Sequence, residues 1–262
     1  MKAPMETIQK LQQIELKILE IFVQICEKEK LHYYLLGGTL LGAIRHKGFI
    51  PWDDDVDVGM PRADYERFLA CASKYLPEEY FLQTYETDSD YPFPFAKLRD
   101  TRTVYKENAF KNLSINHGVW IDIFPLDFCP EKRFWFHVYH QLLRQRVIYT
   151  WKKERDLKLR LFQLLSCLVC PSWHQAVKRR DKLMRSYHKD NILTANFCGS
   201  WGKKEIVPTE WYGEGVDVDF EHLKVKAPAQ YHKWLTQVYG NYMQLPPVEK
   251  RIARHGVAEI KL

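Results

Sequence analysis

Residues 35–60 read LLGGTLLGAIRHKGFIPWDDDVDVGM, a Gly-Gly-Thr turn, a short basic segment and four aspartates within five positions. Asp53, Asp54, Asp55 and Asp57 are clustered although the whole chain carries a net charge of +6. Like charges at this spacing repel by roughly 1 kcal/mol per pair at 4 Å even in bulk water. A cation or a hydrogen-bond network is the usual offset. The alternation Asp55-Val56-Asp57-Val58-Gly59-Met60 predicts a half-buried strand. Strand period puts Asp55 and Asp57 on one face and Val56 and Val58 on the other. That separates these two carboxylates from Asp53 and Asp54, which read as supporting loop residues. Upstream, LHYYLL over residues 31–36 predicts a buried strand, and TLLGAIRH predicts a short helix from about Thr39. Strand, glycine turn and helix together offer backbone N–H groups to a phosphate.

Working outward, residues 5–30 predict an amphipathic helix through Ile8, Leu11, Ile14 (or Glu15), Ile18, Ile21, Phe22 and Ile25. Pro61 opens the helix RADYERFLACASKYL. Strands are predicted at YFLQTY, FAKLRD, TVYKE and VWIDIFPLD. In the last, Val119, Ile121 and Ile123 share one face, and Trp120, Asp122 and Phe124 the other. A lone carboxylate in an apolar strand costs several kcal/mol to bury charged unless it is paired or holds a metal. Asp122 is therefore the third candidate carboxylate. Asp55, Asp57 and Asp122 together make a hard-oxygen set suited to Mg²⁺ or Mn²⁺.

The remainder bounds the class. The length, 262 residues with 46% hydrophobic content, suits one large domain or a domain with a helical annex. Residues 131–190 are helical by pattern and basic, with 15 Lys or Arg against 5 Asp or Glu. The N-terminus carries no secretion signal and no run reaches the ~18 apolar residues of a membrane span. A cytoplasmic protein with six reduced cysteines is expected, and Cys167 and Cys170 read as a core-facing pair. The basic segment reads as a solvated face, a nucleic-acid surface or a face for an anionic membrane. Its interleaved aromatics favour peripheral contact with the inner membrane surface. No nucleic-acid partner is expected, because no nucleic-acid module is recognisable. An acidic run can also be a plain loop or a calcium site, but the EF-hand ligand spacing is missing. His46, His117, Arg45, Arg251 and His255 are more ordinary as structural residues, and Trp52 is open between base stacking and packing.

A Gly-Gly-Ser/Thr turn followed by Asp-h-Asp-h, where h is apolar, resembles the nucleotidyltransferases of the polymerase-beta type. With FAKLRDTRT, VWIDIFPLD and YGNYMQLPPVEKRIARH added, the chain resembles the LicD family, which shares its domain with the fukutin-related proteins. The resemblance implies an α/β (α+β) fold: a mixed sheet flanked by helices, with a catalytic core over 1–130, a basic helical annex over 131–200 and a completing segment over 201–262. It implies a transferase moving phosphocholine or a polyol phosphate from a CDP-activated donor to a hydroxyl of a cell-surface glycan or its lipid-linked precursor, with release of CMP. Asp55, Asp57 and Asp122 would be metal ligands. Gly37, Gly38 and Thr39 match the phosphate turn, with Lys97 and Arg99 near the donor phosphates. Transfer of NMP to an acceptor, or a role without catalysis, are the alternatives.

Overall fold

A computed structural model describes residues 5–152, 156–187, 192–253 and 255–262. The parts of the predicted annex at 153–155 and 188–191, and position 254 of the terminal motif, lie outside the described residues. Helix α1 (Met5–Glu29) buries Ile8, Leu11, Ile18, Leu19, Phe22 and Ile25. Glu15, not Ile14, takes the central core-facing position of that helix. Lys30, in the left-handed conformation, ends it. The predicted strand at 31–36 shrinks to β1 (Tyr34–Leu35). Helix α2 (Gly37–His46) starts two residues before Thr39, because Gly37 adopts φ +52° and the Leu36 carbonyl accepts from Leu40 N–H at 2.9 Å. Strand β2 (Asp57–Pro61) then begins at Asp57, so Asp55 lies outside it. The neighbouring β1 supplies only two residues, paired with Val58 and Gly59, and has none to pair with the chain before Asp57.

Helix α3 (Arg62–Cys71) leads to β3 (Tyr80–Gln83), β4 (Ala96–Asp100), β5 (Val104–Glu107) and the ten-residue β6 (Val119–Phe128). The main sheet runs β1-β2-β6-β4-β3. Among the described residues only β2 and β6 pair parallel; the other neighbours are antiparallel, giving the mixed sheet expected of an α+β fold. Both faces of β6 are buried, as its near-continuous apolar run requires.

Three helices follow: α4 (Phe134–Ile148), α5 (Leu157–Val169) and α6 (Trp173–Met184). Helices α4 and α6, with Cys170 just after α5, form a second, smaller core of Leu143, Val147, Cys170, Ala176 and Val177. Cys170 is buried in it, while Cys167 is half-exposed, so the two thiols do not face the core as a pair. The chain then returns to the sheet. Strand β7 (Leu193–Ala195) pairs with the end of β6 and with β8 (Ile206–Pro208). A hairpin of β9 (Val216–Phe220) and β10 (Leu223–Ala227) precedes helix α7 (Tyr231–Tyr239), and β11 (Val257–Lys261) closes on β5.

One buried network joins the annex to the sheet. Arg62 at the start of α3 donates to both Asp127 oxygens, at 2.7 and 2.6 Å, and to Asp181 of α6 at 3.0 Å. Tyr85 OH donates to Asp181 at 2.8 Å, and Arg185 pairs with the same carboxylate. Burial raises the Asp127 carboxyl even with Arg62 against it, so this ion pair offsets its own desolvation and adds little beyond that. Losing the cation alone is the costly change. Arg62→Ala is expected to reduce unfolding free energy by about 3–5 kcal/mol, read from the urea midpoint; a change below about 1 kcal/mol would show that the network contributes nothing.

Candidate active site

The sheet order places the candidate carboxylates. In the parallel ladder Asp57 is the register partner of Asp122, and in the antiparallel ladder Asp122 is the partner of Lys97. Three residues distant in sequence thus lie side by side on adjacent strands. Lys97 Nζ sits 2.6 Å from Asp122 Oδ1 and 4.1 Å from the centre of the Trp120 ring. The pair is close enough for a strong ion contact but lacks the angles of a hydrogen bond.

The Gly-Gly turn packs directly against the acids. A Cβ at Gly37 would stand 2.8 Å from Asp57 Oδ2, and one at Gly38 would stand 2.4 Å from Asp53 Oδ2. No larger side chain fits without displacing a carboxylate. The N-terminal end of α2 therefore faces Asp53 and Asp57, a favourable placement for negative charge. Thr39 takes a different part. It is buried outside the cavity and its hydroxyl accepts the Asp57 N–H at 2.8 Å. Its structural role is to hold the first residue of β2.

Asp53, Asp54 and Asp55 have carboxylate oxygens within 4.8 Å of one another. Asp54 is fully buried and faces inward, accepting from Tyr105 OH at 3.1 Å and from His255 N–H at 3.0 Å. His255 Nδ1 is 3.3 Å from the other Asp54 oxygen. Burial opposes charge on that imidazole, but Asp54, with Asp55 and Glu107, overcomes it and pushes His255 up to about 10. The terminal motif is thus brought to the acidic run by a charged contact across 201 residues of chain. Beneath it lies Glu15, whose carboxyl is raised well above the usual range by burial, then by Asp55, Asp54 and Asp53.

A cavity of about 520 Å³ gathers these groups. Asp53, Asp55, Asp57 and Asp122 line it, together with Gly37, Gly38 and Lys97 from the core. Arg144, Trp151, Lys152 and Arg180 line it from the annex, and Glu205 and His255 from the later chain. Thr39 and Arg99 do not line it. Arg99 donates instead to Gln83 Oε1 and the Gly118 carbonyl, both at 2.5 Å, and burial lowers its pKa. His46, His117 and Trp52 also lie off the cavity. His117 contacts the Leu113 carbonyl at 3.2 Å, and Trp52 packs between His46 and Arg251.

The donor chemistry fits a hard divalent cation. All candidate ligands are carboxylate oxygens on one wall. Asp57 is raised well above the ordinary carboxylate range by burial, then by Asp55, Asp122 and Asp53. A bound cation would relieve that repulsion.

Comparison with known proteins supplies the family. Residues 30–163 match the model described as LicD/FKTN/FKRP, nucleotidyltransferase domain. The lipopolysaccharide cholinephosphotransferase LicD of Haemophilus influenzae is 31% identical over 95% of this chain and 96% of its own length. The chain belongs to the LicD family. It is a phosphotransferase of the LicD type. The human ribitol 5-phosphate transferase FKRP is 53% identical over 38 residues, 14% of this chain and 8% of that protein. Rickettsia typhi protein RT0683 is 44% identical over 45 residues, 17% of this chain and 15% of its own.

Several cavity residues of this LicD-family chain carry no motif, Arg180 and Glu205 among them. Arg180 is buried on α6, donating to His140 Nε2 at 2.9 Å and to the Phe197 carbonyl at 3.0 Å. Only the charge surplus of residues 131–190 hinted that annex cations reach the site. Glu205 accepts the Trp201 N–H at 2.8 Å, and burial pushes its carboxyl up to about 7. The folded state therefore holds this proton more tightly than the unfolded chain, whose ordinary value is 4.5. Its favourable contribution is present below that value and lost as pH rises through 7, a change of about 3 kcal/mol. Glu205→Gln should flatten the stability–pH curve across this window and raise the melting temperature at pH 8. A variant with the wild-type slope would remove Glu205 as its source.

Proposed function

We propose that this protein transfers phosphocholine from a CDP-activated donor to a hydroxyl of a cell-surface glycan or its lipid-linked precursor, releasing CMP. The observation that carries this reading is a single cavity lined by the core carboxylates and Lys97 and also by Arg144 and Arg180 of the annex. A donor with a diphosphate needs both a cation site and fixed positive charge. The near-full-length likeness to a lipopolysaccharide cholinephosphotransferase supports phosphocholine and a glycan acceptor. The short likeness to ribitol 5-phosphate transferases keeps a polyol phosphate as the second donor class.

Asp55 and Asp57 would hold Mg²⁺ or Mn²⁺, with Asp122 beside them. The ion supplies neutralisation of the phosphate oxygens. The protein's own residues do the rest. Lys97, Arg144 and Arg180 orient the donor phosphates. The acceptor oxygen attacks the phosphorus that carries choline. The bond from that phosphorus to the bridging oxygen breaks, CMP departs with the electron pair, and a wall carboxylate takes the acceptor's proton. Thr39 acts by fixing the Asp57 backbone. A cytoplasmic location belongs to the same reading, since a charged CDP donor does not cross a bilayer unaided.

Incubation with CDP-choline, CDP-ribitol, CTP and ATP, with an acceptor glycan and with or without EDTA, separates the possibilities. The expected result is CMP release from CDP-choline that EDTA abolishes. Pyrophosphate from CTP or ATP with CDP-choline intact would establish NMP transfer instead, and consumption of none would point to a binding protein.

A further inference from the structure

Helix α5 is built inside out. At 100° per residue, Leu157, Leu161, Leu164, Leu165 and Leu168 fall within one arc of about 100°. All five are between 45% and 80% exposed. The side turned to the protein is polar: Gln163 is 0% exposed and Ser166 1%. Gln163 Nε2 donates to the Lys152 carbonyl at 3.1 Å, and Ser166 Oγ to the Gln163 carbonyl at 2.5 Å. A helix that buries its amides and displays its leucines leaves apolar surface that needs a cover. Lys158 borders the stripe on one side and Arg160 on the other, both exposed. Between Leu157 and Val169 there is no acidic residue.

We propose that this face of α5 is a docking surface for an anionic lipid bilayer, with the leucine stripe inserted at the headgroup boundary and Lys158 and Arg160 at the phosphates. Charge selects this occupant over a second copy of the chain. Two α5 stripes packed together would place four cations around one apolar seam with no acid in either helix. A bilayer of anionic lipids matches both the stripe and its borders. The position is also useful. Lys152, which holds Gln163 through its carbonyl, lines the active-site cavity with Trp151. One helix, α5, would then separate the bilayer from that wall, within reach of a membrane-borne acceptor. The docking surface does not depend on the transfer chemistry, and its test is separate.

Flotation of the full chain with vesicles of phosphatidylcholine alone, or mixed with phosphatidylglycerol, tests the proposal. Binding to the anionic vesicles is expected, falling as salt rises. Leu164→Glu with Leu168→Glu should cut the partition coefficient by roughly tenfold or more, with the melting temperature and CMP release from CDP-choline to a soluble acceptor unchanged. Lys158→Glu with Arg160→Glu should abolish the preference for anionic over neutral vesicles. No binding by the wild type, or equal binding by the leucine variant, overturns the proposal. So does a wild-type dimer, seen by light scattering, that the leucine variant converts to a monomer, because the stripe is then a self-association face.

Discussion

Asp57→Asn is expected to lower kcat by about a thousandfold or more while leaving the fold intact or slightly more stable. The loss corresponds to about 4 kcal/mol of transition-state stabilisation, ordinary for a metal-holding carboxylate in a phosphoryl-type transfer. The stability effect has the opposite sign for a physical reason. Burial and the carboxylates of Asp55, Asp122 and Asp53 raise the folded-state pKa of Asp57. The folded state therefore keeps this proton to higher pH than the unfolded chain. That contribution is present in acid and lost as pH rises above the ordinary carboxylate range. Wherever Asp57 is ionised its charge works against folding, and asparagine removes that opposition. Asparagine also keeps a side-chain oxygen against Gly37, so the turn needs no repacking. Melting scans should show the variant at or above wild type, with a shallower decline as pH rises above the ordinary carboxylate range. Added Mn²⁺ should raise the wild-type melting temperature and leave the variant's unchanged. Undiminished turnover would remove Asp57 from the mechanism, and a melting temperature many degrees lower would show that its charge is structural.

The second large effect is expected at Lys97. The residue is 4% exposed, and its ammonium sits on Asp122 with Trp120 beneath it. Lys97→Met keeps the chain length and the contact with the ring but removes the charge. Asp122 is then a buried carboxylate with its cation gone, at an expected cost of about 3–5 kcal/mol, or roughly 10 °C in melting temperature. The same change removes a cation proposed to orient the donor phosphates, so transfer should fall steeply as well. The double variant Lys97→Met with Asp122→Asn distinguishes the two losses. It should recover most of the stability, since no buried charge remains, and none of the activity. If Lys97→Met melts within a degree of wild type, the ion pair carries no structural weight. If the double variant is no more stable than the single one, the loss came from packing.

These residues also show what was legible in the chain. The Gly-Gly-Thr turn, the Asp-h-Asp run and VWIDIF locate the cavity's acidic wall, because glycine chemistry and strand period are local properties. Gly37 and Gly38 are required for a reason that spacing does not state. Each leaves room for one aspartate oxygen. Arg99 shares the face of Lys97 by strand period, yet it turns to Gln83 and the Gly118 carbonyl. Its neighbours, not its own position, decide that. The annex was legible as helical and basic, but the direction of its apolar stripe was not. A periodic pattern fixes which residues share a face and leaves open whether that face meets the core or the solvent.

The sequence by itself determined the alternation of strands and helices, the acidic turn and its pairing with a Gly-Gly step, and the surplus of cations between residues 131 and 190. Tertiary structure alone decided which carboxylate meets which cation. Asp122 meets Lys97 because β6 and β4 run antiparallel in that register. Asp54 is spent on Tyr105 and His255 because β5 and the terminal segment close over it. Thr39 serves Asp57 because α2 starts two residues earlier than its pattern predicts. Periodicity acts between residues a few positions apart. Pairing energy and desolvation act between groups a few ångströms apart, and only the folded chain brings those distances together.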